Sequence, residues 1–190
     1  MVTLVFFLEE LSAQKLLEGL LPRFLPMERF SLRFIPFEGK QDLEKQLVRK
    51  MRSWRTPDTQ FIVLRDQDAA DCKDVKARLV ALCSEAGHPN ALVRVACREL
   101  ESWYLGDLCA VEKALGVKGL RTHQNAVKFR DPDHLSNPSM ELERLTRGTY
   151  QKVSGSRAIG PHLDFQERNR SRSFRVFISG MTSYLQQQSE

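Results

Sequence analysis

No apolar run in this chain of 190 residues approaches the roughly 20 residues a membrane-spanning helix needs, so none is expected. The first residues enter an apolar strand without a basic leader; no signal peptide is expected, and the cytoplasm is the expected compartment. Cysteine is sparse. Cys72, Cys83, Cys97 and Cys109 stand far apart, with no C-x-x-C and no nearby histidine pair, which argues against a zinc site and against a disulfide framework. Cys72, Cys83 and Cys97 fall in apolar patterns and read as packed thiols rather than nucleophiles. His88, His123, His134 and His162 fall in expected loops without metal-ligand spacing. The chain also has no G-x-x-x-x-G-K-[ST], no G-x-G-x-x-G and no G-x-S-x-G. These absences argue against a self-contained ATPase, a dinucleotide enzyme of the usual type and an α/β-hydrolase. Internal repeats and low-complexity segments are missing too.

What is present is an ordinary globular composition, 42% hydrophobic and 28% charged, with a formal net charge of +5. The positive excess is concentrated. Residues 144–175 carry eight basic side chains against Asp164 and Glu167, and residues 40–55 carry six against Asp42 and Glu44. Such runs read either as polyanion-binding surface or as solvated faces that aid solubility.

The first hundred residues alternate strand and helix. Thr3–Leu8, Ser31–Pro36, Phe61–Arg65 and Ala91–Cys97 read as strands. Between them lie a helix capped by Ser12, a helix over Gln41–Trp54 and a helix over Asp71–Ala86; a further helix is expected over Glu101–Leu115. This alternation predicts an α/β fold with a mostly parallel sheet flanked by helices. Residues 1–115 form the expected core. Residues 116–190 form an expected helical and irregular extension packed on it, a candidate lid ending in an amphipathic helix that starts at Ser171 or Ser173.

Two of the strands end in acids. Leu4-Val-Phe-Phe-Leu8 runs into Glu9-Glu10, and Phe61-Ile-Val-Leu-Arg65 runs into Asp66-Gln-Asp68-Ala-Ala-Asp71. Open α/β sheets bind ligands at the carboxyl edge. If strands 1 and 3 are neighbours, Glu9, Asp66 and Asp68 can share a cation, and clustered carboxylates suit Mg²⁺ or Mn²⁺. A metal held by two carboxylates keeps positions for water and phosphate oxygens, the arrangement of phosphoryl transfer and phosphodiester hydrolysis. The competing reading is that Asp66 and Asp68 cap the next helix. Glu101 and Asp107, in Arg98-Glu-Leu-Glu101-Ser-Trp103-Tyr-Leu-Gly-Asp107, stand near the same expected edge and are candidate supporting carboxylates; Trp103 reads as core. Tyr150-Gln-Lys152-Val-Ser-Gly155 offers a lysine that could neutralise a phosphate, and Arg168-Asn-Arg170-Ser-Arg172 could grip one at a helix start. The alternative for these arginines is exposure around a helix cap.

Phe7-Leu-Glu9-Glu10-Leu-Ser12, Arg65-Asp66-Gln-Asp68, Cys97-Arg-Glu-Leu-Glu101-Ser-Trp103-Tyr-Leu-Gly-Asp107 and Tyr150-Gln-Lys152 together resemble an uncharacterised bacterial family of Toprim-like fold, often encoded beside AAA- or ABC-type ATPases. The resemblance covers nearly the whole chain. Toprim domains serve topoisomerases, primases and OLD-type nucleases. The resemblance implies Glu9 in acid–base catalysis and Asp66 and Asp68 on Mg²⁺ (or Mn²⁺), with Asp71 or Glu101 assisting. Read beside it, the residues themselves offer Lys152 as a catalytic and phosphate-contacting lysine and Arg168, Arg170 and Arg172 as nucleic-acid contacts. One departure is visible: the usual Toprim glutamate precedes a glycine, whereas Glu9 precedes Glu10, which places a second negative charge there. The implied function is a Mg²⁺-dependent nuclease, an effector of ATPase-linked anti-phage defence. Nucleic acid and an ATPase are its expected partners, no membrane is involved, and a homo-oligomer is open. The rival reading is a non-catalytic nucleic-acid- or partner-binding subunit of an ATPase complex. A receiver-like phosphorylation module is disfavoured, because no later strand ends in a suitably placed lysine.

Overall fold

The computed structural model describes residues 1–187. Four strands, β1 (Val2–Leu8), β2 (Phe30–Pro36), β3 (Thr59–Asp66) and β4 (Leu92–Ala96), form one sheet in the order β2-β1-β3-β4, with every neighbouring pair parallel. β1 and β3 are adjacent, and Leu8 is in register with Pro36 on one side and Leu64 on the other.

Alternation in the strands creates two cores. Leu4, Phe6, Leu8, Ile62 and Leu64 point to one face. They meet α1 (Leu11–Leu20), α4 (Glu101–Leu105), α5 (Leu108–Leu115), α7 (Lys152–Ile159) and α8 (Arg172–Gln187). Val5, Phe7, Phe61, Val63 and Val93 point to the other face, covered by α2 (Lys40–Arg52) and α3 (Cys72–Glu85). Burial on both faces explains why β1 and β3 are continuous apolar runs rather than alternating ones. The residues beyond 116 are built into the first core. Ile159 and Leu163 pack with Leu16 and Leu17, while Phe174 and Phe177 lie at 5.2 and 5.1 Å from the Trp103 ring.

Two local expectations are corrected. Ser12 does not cap α1. Glu10 occupies the cap position, and Ser12 is buried one residue inside the helix, its hydroxyl donating to Glu10 Oε2 at 3.4 Å. The expected helix over 101–115 is two helices, broken at Gly106-Asp107. Asp107 starts α5 by accepting the Ala110 amide, and Gly106 lies so close to Asn169 and Ser171 that a side chain would collide with both. The remaining short helix is α6 (Pro138–Leu145).

Candidate functional site at the carboxyl edge of the sheet

The chain leaves β1 for β2 on one side and returns across β1 to β3 on the other, so strand order reverses between β1 and β3. That crevice is where open parallel sheets place ligands. Glu9 follows β1 and is pinned on both sides. Its N–H donates to Leu64 O at 3.3 Å, and its carbonyl accepts the Gly39 N–H at 3.0 Å. Its carboxylate, 9% exposed, accepts the Asp66 amide at 3.0 Å. Asp66 ends β3 in register with Ala96, and the nearby Leu100 backbone favours its charged form. Glu101, in the first turn of α4 and 1% exposed, accepts the Tyr150 hydroxyl at 2.8 Å. Tyr150 lies against α7 at Gly155, where any side chain would strike the ring 2.6 Å from Cε2.

Asp66 feels the charges of the other two carboxyls. Burial, then Glu101 and Glu9, push Asp66 well above the usual carboxylate range. Burial raises Glu9, opposed by the Asp66 amide and reinforced by Asp68. Burial also raises Glu101 despite the Tyr150 hydroxyl. Buried carboxyls raised together in a crevice mark functional-site candidates, because their charges are held at a cost that a bound cation would relieve.

Cations surround this acidic floor. Lys152 Nζ meets Glu10 Oε2 at 2.5 Å; burial works against its charge, but Glu10, Glu101 and Asp66 raise its pKa overall and keep it protonated. Lys40 Nζ meets Asp68 Oδ2 at 2.8 Å. Arg65, 6% exposed, ion-pairs with Glu44 at 2.5 Å, and its Nε lies 3.7 Å from Glu9 Oε2. A small cleft between them is lined by Glu9, Glu10, Ser12, Arg65 and Asp66.

The structure therefore brings Glu9, Asp66, Asp68, Glu101 and Lys152 to one edge. Asp71 is placed otherwise: it is exposed and caps α3, accepting the Lys73 amide at 2.7 Å and the Asp74 amide at 3.3 Å. Arg168 turns to Asp107, with Nε at 2.8 Å from Oδ1 and Nη2 at 2.9 Å from Oδ2. Arg170 binds the Gln124 carbonyl and Asn125 Oδ1, whereas Arg172 opens α8, exposed, near Cys97. Sequence reading assigned no role here to Lys40, Tyr150 or Arg65. Tyr150 stood inside a quoted motif, but Lys40 needs the sheet order before its place is visible.

Among the described residues, no three carboxylate, histidine or cysteine groups converge as a ready ligand set. The donors are nonetheless all oxygens, and Mg²⁺ is commonly held by one or two carboxylates, with water and phosphate completing the shell. The residues present fit that mode and not an all-protein cage.

Comparison with curated proteins and with solved structures returns no match. The family model of a domain of unknown function (DUF4276) matches residues 8–182, a span that includes every acid and lysine of the crevice. The chain belongs to the DUF4276 family.

Proposed function

We propose that this protein is a Mg²⁺- or Mn²⁺-dependent nuclease of Toprim-like fold, the effector of an ATPase-linked anti-phage defence system. One observation carries the hydrolase reading: Glu9, Asp66 and Glu101 gather at the switch-point edge with carboxyls raised by burial, Asp66 also by the other two, and Lys40 and Lys152 stand at the rim. Asp66 and Glu9 would hold the cation, with Asp68 and Glu101 in support. A bound divalent cation supplies a polarised phosphoryl oxygen and a water of lowered pKa. The chain's own residues do the rest. Glu9, held in place by the Asp66 amide, accepts a proton from the attacking water. Lys152 keeps its proton and neutralises charge gathering on the phosphoryl oxygens. Glu10, which stands where Toprim proteins carry glycine, is paired with this same lysine in the free chain.

The DNA- or RNA-cleaving role, the ATPase partner and the defence context follow from the resemblance and the basic charge, and they are tested together. Supercoiled plasmid, single-stranded DNA and RNA are incubated with Mg²⁺ or Mn²⁺, with and without the ATPase, comparing wild type with Asp66→Ala/Asp68→Ala. Metal-dependent cleavage lost in the variant is expected. Cleavage that persists in the variant removes the assignment. A non-catalytic binding subunit is favoured by one feature, the pairing of Glu10 and Asp68 with lysines. It requires nucleic-acid binding without metal and no cleavage under any condition.

A further inference from the structure

Lys40 and Lys152 approach the acids from opposite faces of the sheet. Lys40 is the first residue of α2, which packs through Leu43, Leu47 and Met51 on the face of Val5 and Phe7. Lys152 is the first residue of α7, which packs on α1 over the other face. Glu9 and Asp66 end the two central strands between them. The cleft also holds an unsatisfied donor: Arg65 Nε, on a side chain 7% exposed, makes no hydrogen bond.

We propose that Lys40 is a second phosphate-binding residue of this site, opposite Lys152, so that the substrate is a polynucleotide strand crossing the sheet edge with a phosphate at each lysine. This rests on the functional reading above and adds the substrate's minimum size: a substrate with a single phosphate cannot place one at each lysine. The ion pairs that now occupy them are replaceable. Lys40 and Asp68 are 47% and 34% exposed, Lys152 and Glu10 are 45% and 36% exposed, and pairs so open to water contribute little. A phosphate can displace either carboxylate and gain a charge-assisted hydrogen bond in its place. The exchange also leaves Asp68 without its lysine, beside the floor where the cation would bind. Cation and strand therefore help each other.

The test is kcat/KM, with Mg²⁺ or Mn²⁺, on oligonucleotides with one, two, three and more internal phosphates. Wild type is expected to show a step of about tenfold or more as the second lysine gains a phosphate, the scale of one hydrogen bond to a charged group. Lys40→Ala is expected to flatten the step, and Lys40→Arg to keep it. A step that survives intact in Lys40→Ala overturns the role of Lys40 while the nuclease reading stands. Failure of wild type to cleave plasmid or any oligonucleotide overturns the nuclease reading itself.

Discussion

Arg168 lies in the most basic stretch of the chain, yet its structural position assigns it to Asp107. That aspartate is fully buried and receives four hydrogen bonds: the Ala110 amide at 3.1 Å, the Asp164 amide at 2.9 Å, and Arg168 Nε and Nη2 at 2.8 and 2.9 Å. Arg168→Met keeps the stem and removes the guanidinium, leaving a buried carboxylate with two amide donors and no countercharge. Removing one partner of a buried pair costs about 3–5 kcal/mol. Because the Arg168 side chain is 47% exposed, water can replace part of the interaction, and about 2–3 kcal/mol is expected. At about 2–4 °C per kcal/mol for a domain of this size, the Tm falls by about 4–12 °C. Thermal unfolding by circular dichroism checks the shift, and Arg168→Lys should lose less, since the ammonium keeps a countercharge for Asp107. An unchanged Tm, combined with lost affinity for nucleic acid, would refute the reasoning and return Arg168 to the binding surface.

The other predictions concern the site, the helix break after α4 and two thiols. Asp66, Glu9 and Glu101 all have raised pKa values in the folded state, so the folded chain binds more protons than the unfolded chain between the ordinary carboxylate range and the raised values. Stability therefore falls as pH rises through that window, and Asp66→Asn should be more stable than wild type at neutral pH, with a weaker pH dependence in urea unfolding; the opposite order would contradict the electrostatics. Gly106→Ala places a methyl against Asn169 and 2.7 Å from the Ser171 amide, and should cost about 1–3 kcal/mol or prevent folding, read by denaturant midpoint. Burial pushes the Cys97 thiol up to about 12 and Cys83 up to about 11, so both should react far more slowly than an exposed thiol with a thiol-specific reagent at neutral pH in the folded chain.

The sheet was legible because β1 and β3 are buried on both faces, which leaves an unbroken apolar run ending where the strand meets the crevice. Glu9 and Asp66 could be read from those endings without knowing any contact. The break at Gly106-Asp107 was not legible, since apolar spacing continues through it and the cause lies in Asn169 and Ser171, more than sixty residues away. Asp71 and Arg168 show a different limit. Charge and spacing suit a metal ligand or a phosphate contact, but the same groups also suit a helix cap and a buried ion pair, and only tertiary placement decides between them. Lys40 sat in a basic run of six, and nothing local separates it from Lys45 or Lys50.

The central claim is that the crevice between β1 and β3 takes a divalent cation on Asp66 and Glu9. Mn²⁺ binding, followed by electron paramagnetic resonance of the full chain with and without a single-stranded oligonucleotide, tests it most directly. The account expects wild type to bind the ion, more tightly when the oligonucleotide is present, and Asp66→Asn to bind it at least about tenfold more weakly, a loss of about 1.4 kcal/mol. Equal binding by wild type and Asp66→Asn, or no binding by wild type in either condition, would contradict it.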